Sequence, residues 1–164
     1  MSDLTDNGIV VTTVDVGQEW LDYNDHMNVA YYVMAFDSGI DAFKDVIGIT
    51  LDYIEREKRS TVALESHISY LQEATLGDAL RIETRIVDFD GKRVHYYQEM
   101  YRGETLLSIQ ETLSISFSTE IRRSCEFADQ ARERYQTMLE RQGQLPRPEA
   151  IGKRIGIRRK QVAP

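Results

Sequence analysis

The chain has 164 residues, enough for one domain with a real core, and its apolar (41%) and charged (29%) fractions are ordinary for a globular protein. A formal charge of −7 argues against general nucleic-acid binding, a single cysteine rules out an intramolecular disulfide, and no apolar run is long enough to cross a bilayer. The acidic start, Met1 to Asp6, is unlike a signal peptide, so a reducing cytoplasm is the expected setting.

Ile9 to Val16 (IVVTTVDV) is rich in β-branched residues and predicts a first strand. Next comes a polar knot, Asp22-Tyr23-Asn24-Asp25-His26-Met27-Asn28, which runs straight into the apolar block Val29 to Phe36. Asn28 has the short acceptor favoured at a helix N-cap, and the helix is expected to run to about Ile47, with Gly48 as its stop. Its start is apolar nearly all round, which predicts a helix wrapped by other structure. Leu51 to Lys58 predicts a further short helix.

From Ser60 the period changes to two. Val62, Leu64, Ile68 and Tyr70 are expected on one face of a strand, with Glu65 and His67 on the other. Ala79 to Phe89 predicts another strand, and Asp90-Gly91 a hairpin into Lys92 to Arg102. Thr105 to Ser118 predicts a fourth strand of this run, with Leu107, Ile109, Leu113, Ile115 and Phe117 sharing a face. Glu111 interrupts that stripe, by a bulge or a shifted register. Phe127 to Gln142 predicts an amphipathic helix. Residues 1–145 form a single domain in this reading, and 146–164 a basic tail. The order is β-α-β4, which makes a two-layer α+β domain: a sheet that buries its apolar face on one long helix.

The knot is also where chemistry gathers. It places two carboxylates, an imidazole and a carboxamide at a helix start, where unpaired N–H groups and the positive end of the helix dipole converge. Such a place can hold an oxyanion, although a polar loop that merely caps a core helix has the same composition. The three histidines, His26, His67 and His95, have no H-x-x-x-H spacing, and there is no G-x-S-x-G, so neither a metal centre nor a serine nucleophile is expected.

The pattern D-x-x-[GD]-H-M-N before an aromatic-rich helix resembles the signature of hotdog-fold acyl-CoA thioesterases of the 4-hydroxybenzoyl-CoA thioesterase type. The resemblance implies that Asp22 is the catalytic carboxylate, as nucleophile or as base. His26 and Asn28 match the GH(M/V)N positions, and Tyr31 or Tyr32 the helix aromatic. Backbone N–H groups around Met27 to Val29 would face the oxyanion. Position 25 departs, with Asp25 where the family usually has Gly. The family pairs through the strand after the long helix, which implies a homodimer or a dimer of dimers, with Glu65 or His67 of one subunit facing the other's knot; by composition alone these two form a solvated polar face.

The stretch Ser60 to His95, with the knot, is similar to betainyl-CoA thioesterases linked to carnitine breakdown. That implies a trimethylammonium acyl group, for which Trp20, Tyr23, Tyr31, Tyr32, Tyr53 and Tyr70 are candidate cage rings. Coenzyme A enters only as part of the substrate, with no separate cofactor. Its phosphates would want Lys58, Arg59, Arg93 or the tail cations Lys153, Arg154, Arg158, Arg159 and Lys160. The alternatives are a hotdog hydratase or dehydratase, and an acyl-CoA binding module without catalysis.

Overall fold

The computed structural model describes residues 2–157. Its elements are β1 (Asp3–Leu4), β2 (Val10–Asp15), a 3-10 turn (Gln18–Trp20), α1 (Val29–Val46), α2 (Leu51–Glu57), β3 (Arg59–Tyr70), β4 (Ala79–Phe89), β5 (Arg93–Arg102), β6 (Thr105–Ser118), β7 (Arg123–Ser124) and α3 (Asp129–Gln142). The strands form one antiparallel seven-stranded sheet in the order β1-β2-β4-β5-β6-β3, with β7 on β6. The expected β-α-β4 order is present, with the short strands β1 and β7 added.

α1 lies across β2, β4 and β5. It buries Tyr32, Ala35, Phe36, Gly39, Ile40 and Phe43, the helical spacing of a single stripe. These meet Leu80, Ile82 and Ile86 of β4 and Val94, Tyr96 and Met100 of β5, all essentially inaccessible. α3 closes the far end of this layer, where Tyr135 stacks among Phe43, Phe89 and Phe127 and shares a 2.6 Å hydroxyl hydrogen bond with Tyr96.

Three sequence expectations need correcting. The start of α1 is not wrapped within the protomer: Val29, Val33 and Met34 are 60%, 49% and 47% exposed. A bulge at Leu64 shifts the phase of β3. Ser66, Ile68 and Tyr70 therefore face the helix layer, while Val62 pairs with Ile115 on the outer face that also carries Glu65 and His67.

The stripe on β6 is also placed differently. Ile109, Glu111, Leu113, Ile115 and Phe117 do share a face, but it is the outer one. The residues buried toward the helices are Ser108, Gln110, Thr112, Ser114 and Ser116. Glu111 needs no bulge, because it stands opposite His67 and Tyr97 in regular register. The irregularity lies earlier, where Leu107 drops out of step and into the core.

Polar side chains bridge helix and sheet at the centre. Gln98 Nε2 donates to the Phe36 carbonyl of α1 at 2.7 Å and to Thr84 Oγ1 at 3.0 Å. Gln110 Nε2 donates to Thr112 Oγ1 at 2.9 Å. Gly39 allows this close approach, since a Cβ there would stand 2.6 Å from Gln98 Nε2 and 2.8 Å from Thr84 Oγ1. Gly39→Ala should therefore lose about 1–3 kcal/mol in urea unfolding, despite a helix-propensity gain of about 1 kcal/mol. A variant more stable than the parent would show that the pinned amide gives way freely.

Candidate functional site

The knot folds as a miniature hairpin. Asp22 N–H donates to the His26 carbonyl at 2.9 Å, Asn28 N–H to Trp20 at 2.9 Å, and Leu21 bridges Met27. Tyr23 and Asn24 form the turn, and Asp25 closes it with φ 61°. That left-handed conformation is easiest for Gly, and Asp is among the few other residues that visit it routinely. The departure at position 25 therefore keeps the backbone path that a glycine would take.

Asp22 is half-buried, and its Oδ1 accepts the Asn24 N–H at 2.8 Å. Its partner across the hairpin, His26, lies two residues before Asn28, the N-cap of α1. Asn28 Oδ1 caps α1 by accepting Ala30 N–H at 3.0 Å, so Asn28 works structurally through its oxygen, and among the described residues its Nδ2 has no partner. The expected oxyanion donors narrow here, because Met27 N–H is spent on the Ala74 carbonyl (2.8 Å) and Asn28 N–H on Trp20. Val29 N–H is the first of the helix and has no intrahelical acceptor.

A second segment, the loop after β3, clamps the knot. Besides the Met27–Ala74 bond, His26 bridges Thr75 in the backbone, and His26 Nε2 lies 3.0 Å from Glu73 Oε2. Tyr32 fastens the same loop from below. Its hydroxyl accepts Ala74 N–H at 3.0 Å and points at the Gln72 carbonyl at 3.4 Å. Burial raises the Tyr32 phenol above its ordinary pKa, so it stays an O–H at neutral pH. Glu73 carries no sequence signal: it lies far from His26 in the chain, in a loop without motif character.

The aromatic candidates divide. Trp20 and Tyr31 stack on one another at 5.2 Å with an interplanar angle of 12°, and Tyr23 is 95% exposed at the tip of the knot. Tyr70 meets Tyr32 edge-on at 5.1 Å and is half exposed. Trp20 and Tyr31 leave no slot between their rings, so a cation would sit on an outer face of the pair. Tyr53 belongs to the other end of the core, with its hydroxyl against Ala128 N–H.

The remaining candidates are not brought to the knot within one protomer. Glu65 and His67 stand on the outer face of the sheet, beside His95 and Glu111, which pair at 3.0 Å. Lys58 and Arg59 sit at the start of β3. That strand has 12 residues, and its far end leads into the knot's clamp, a span on the order of 35 Å. Arg93 lies at the same distant end, held by Asp90 at 2.6 Å. Arg158, Arg159 and Lys160 lie outside the described residues. Among the described residues no group of three or more His, Cys, Asp and Glu side chains converges as a metal site, and no helix is long and apolar enough to cross a membrane.

Comparison with known proteins bears on this geometry. The betainyl-CoA thioesterase of Pseudomonas aeruginosa is 30% identical over 153 residues, covering 90% of this chain and 96% of that protein. The L-carnitine dehydrogenase/betainyl-CoA thioesterase of Ruegeria pomeroyi is 34% identical over 154 residues, 94% of this chain but 31% of that protein, so the chain spans about a third of that relative's length. Among solved structures, the hypothetical protein SAV2348 of Staphylococcus aureus, determined in complex with CoA, superposes with a TM-score of 0.87 at 28% identity, over 96% of this chain and 100% of that one. Residues 16–135 match the family described as the thioesterase-like superfamily, and together with the sheet, the long helix and the capped knot this match places the chain in that hotdog-fold family.

Proposed function

We propose that the protein hydrolyses an acyl-CoA thioester with a small cationic acyl group, betainyl-CoA being the leading substrate. The observation that carries this reading is the hairpin that pairs Asp22 with His26 and leads directly into the capped start of α1. A thioester needs an attacking oxygen and donors for the oxyanion; its thiolate, of thiol pKa ~8.5, leaves with little acid help. With the carbonyl over Val29 N–H and Asn28 Nδ2, Asp22 takes a proton from water as the water oxygen bonds to the carbonyl carbon. The C–S bond then breaks and the thiolate departs. In the alternative route Asp22 itself attacks, and water cleaves the resulting anhydride. A single turnover in H₂¹⁸O separates the two, since only the anhydride route can leave label in Asp22.

The site is completed by a second copy. β3 is an edge strand of 12 residues that exposes Leu64 and Tyr70, and Leu71 just after it and Val29, Val33 and Met34 of α1 are exposed too. Such an edge invites pairing. Antiparallel pairing of two β3 strands about a two-fold brings Lys58 and Arg59 of the partner subunit toward this knot, where phosphates of coenzyme A would meet them. The unpaired Cys125 suits a reducing compartment, the cytoplasm.

Thiol release from a panel of acyl-CoAs tests the reading, with betainyl-CoA expected to turn over faster than acetyl-CoA and fatty acyl-CoAs. A preference for long chains would sink the cationic substrate and keep the thioesterase. No thiol release from any thioester would sink hydrolysis itself and leave a binding module.

Glu73 tests the clamp. Its pair with His26 is largely exposed (60% and 44% for the two side chains), so its worth is screened by water. Glu73→Gln should lower turnover about two- to fivefold, the scale of a surface ion pair, with the melting temperature nearly unchanged. Unaltered turnover would reduce the pair to a bystander.

A further inference from the structure

After α3 the chain crosses the outer face of the sheet as a strap. Arg85 Nη2 on β4 donates to the Pro146 carbonyl at 3.1 Å, and Leu145 and Pro146 stand beside Tyr97 and Glu99 of β5. Further on, Gly152 N–H donates to Glu111 Oε1 of β6 at 2.8 Å. Lys153 and Arg154 then border a cavity of about 300 Å³ whose floor includes Glu65 and His67 of β3. The contacts fall on β4, β5, β6 and β3 in that order, so the strap runs across the strands to the sheet edge.

At that edge its covering ends. Among the described residues, Ile155 and Ile157 are each 90% exposed, two β-branched apolar side chains at the end of the strap. On the outer face of β3, Val62 is 41% exposed, and Glu65 is exposed beside the strap cations. Resting on the homodimer proposed above, the outer face of one sheet continues across the β3 seam into the other. The end of each strap is thus aimed at the partner's edge strand.

We propose that Lys153 to Ile157 of each chain docks on the outer face of the partner's β3, with the cations against Glu65 of the partner subunit and the isoleucines against Val62 of the partner subunit. The two straps cross the seam in opposite directions and clasp the dimer on the side away from α1. The attraction is between exposed charges, so it weakens with salt.

The test uses full-length chains in a Cys125→Ser background. Chains carrying Ile155→Cys are mixed with chains carrying Val62→Cys, exchanged and mildly oxidised; a disulfide-linked dimer is expected from the mixture and from neither variant alone. The double variant, oxidised by itself, should likewise give the dimer band. An intrachain bond in the double variant, or no mixed disulfide while the unmodified protein is dimeric by light scattering, overturns the clasp and leaves the dimer standing. A monomeric protein at micromolar concentration overturns both. In the dimeric case Glu65→Lys should raise the dissociation constant about tenfold at low salt and much less at 1 M salt; an unchanged constant at low salt also counts against the clasp.

Discussion

Asp22→Asn should lower kcat for thioester hydrolysis by about 10²–10⁴-fold, the range that a positioned carboxylate contributes as a base. The amide keeps the size of Asp22 and an oxygen to accept the Asn24 N–H, so the hairpin and the cap of α1 should survive. It cannot take a proton from water or attack a carbonyl, and both routes need one of these. Asp25→Gly should be tolerated by comparison, because φ 61° at that position is the conformation in which glycine is most at ease. The pair is read by thiol release alongside circular dichroism. A folded Asp22→Asn protein with near-parental turnover would remove Asp22 from the chemistry.

Phe43→Ala should cost about 3–5 kcal/mol of stability. Phe43 is fully buried where α1, the sheet and α3 meet, with its ring edge-on to Tyr96 at 5.7 Å and facing Tyr135 at 6.4 Å. Its neighbours are ring systems fixed by their own contacts, including the Tyr96–Tyr135 hydroxyl bond, so the site cannot collapse onto the void. At roughly 2–4 °C per kcal/mol for a chain of this size, the melting temperature should fall by about 6–20 °C. A loss under about 1 kcal/mol would mean that the cluster repacks freely, against the density usual in protein interiors.

The sequence made some features plain and hid others for identifiable reasons. The strand at Val10, the helix from Val29 with its Asn28 cap, and the Asp90-Gly91 hairpin all rest on local signals, a period, a cap and a turn pair, and the structure has them. The faces of β3 and β6 were misread because single-residue bulges at Leu64 and Leu107 invert every side chain beyond them, and nothing in either residue marks it as a bulge. An apolar stripe is expected to face the helix, but on β6 it faces away from it. Small hydroxyl residues fit under the helices instead, while the larger aliphatics face outward beneath the strap. For the site, the knot was visible because it is continuous in sequence. Glu73 and the loop that clamps His26 were not, since their role arises only where the end of β3 returns to α1.

The hydroxyl-lined inner face of β6 bears on how the protein responds to temperature. Unfolding this strand exposes Ser108, Thr112, Ser114 and Ser116 where another sheet would expose valines and leucines. Polar surface lowers the heat-capacity change of unfolding and apolar surface raises it, so this strand contributes less to that change than a valine- and leucine-lined one would. A smaller heat-capacity change flattens the dome of stability against temperature.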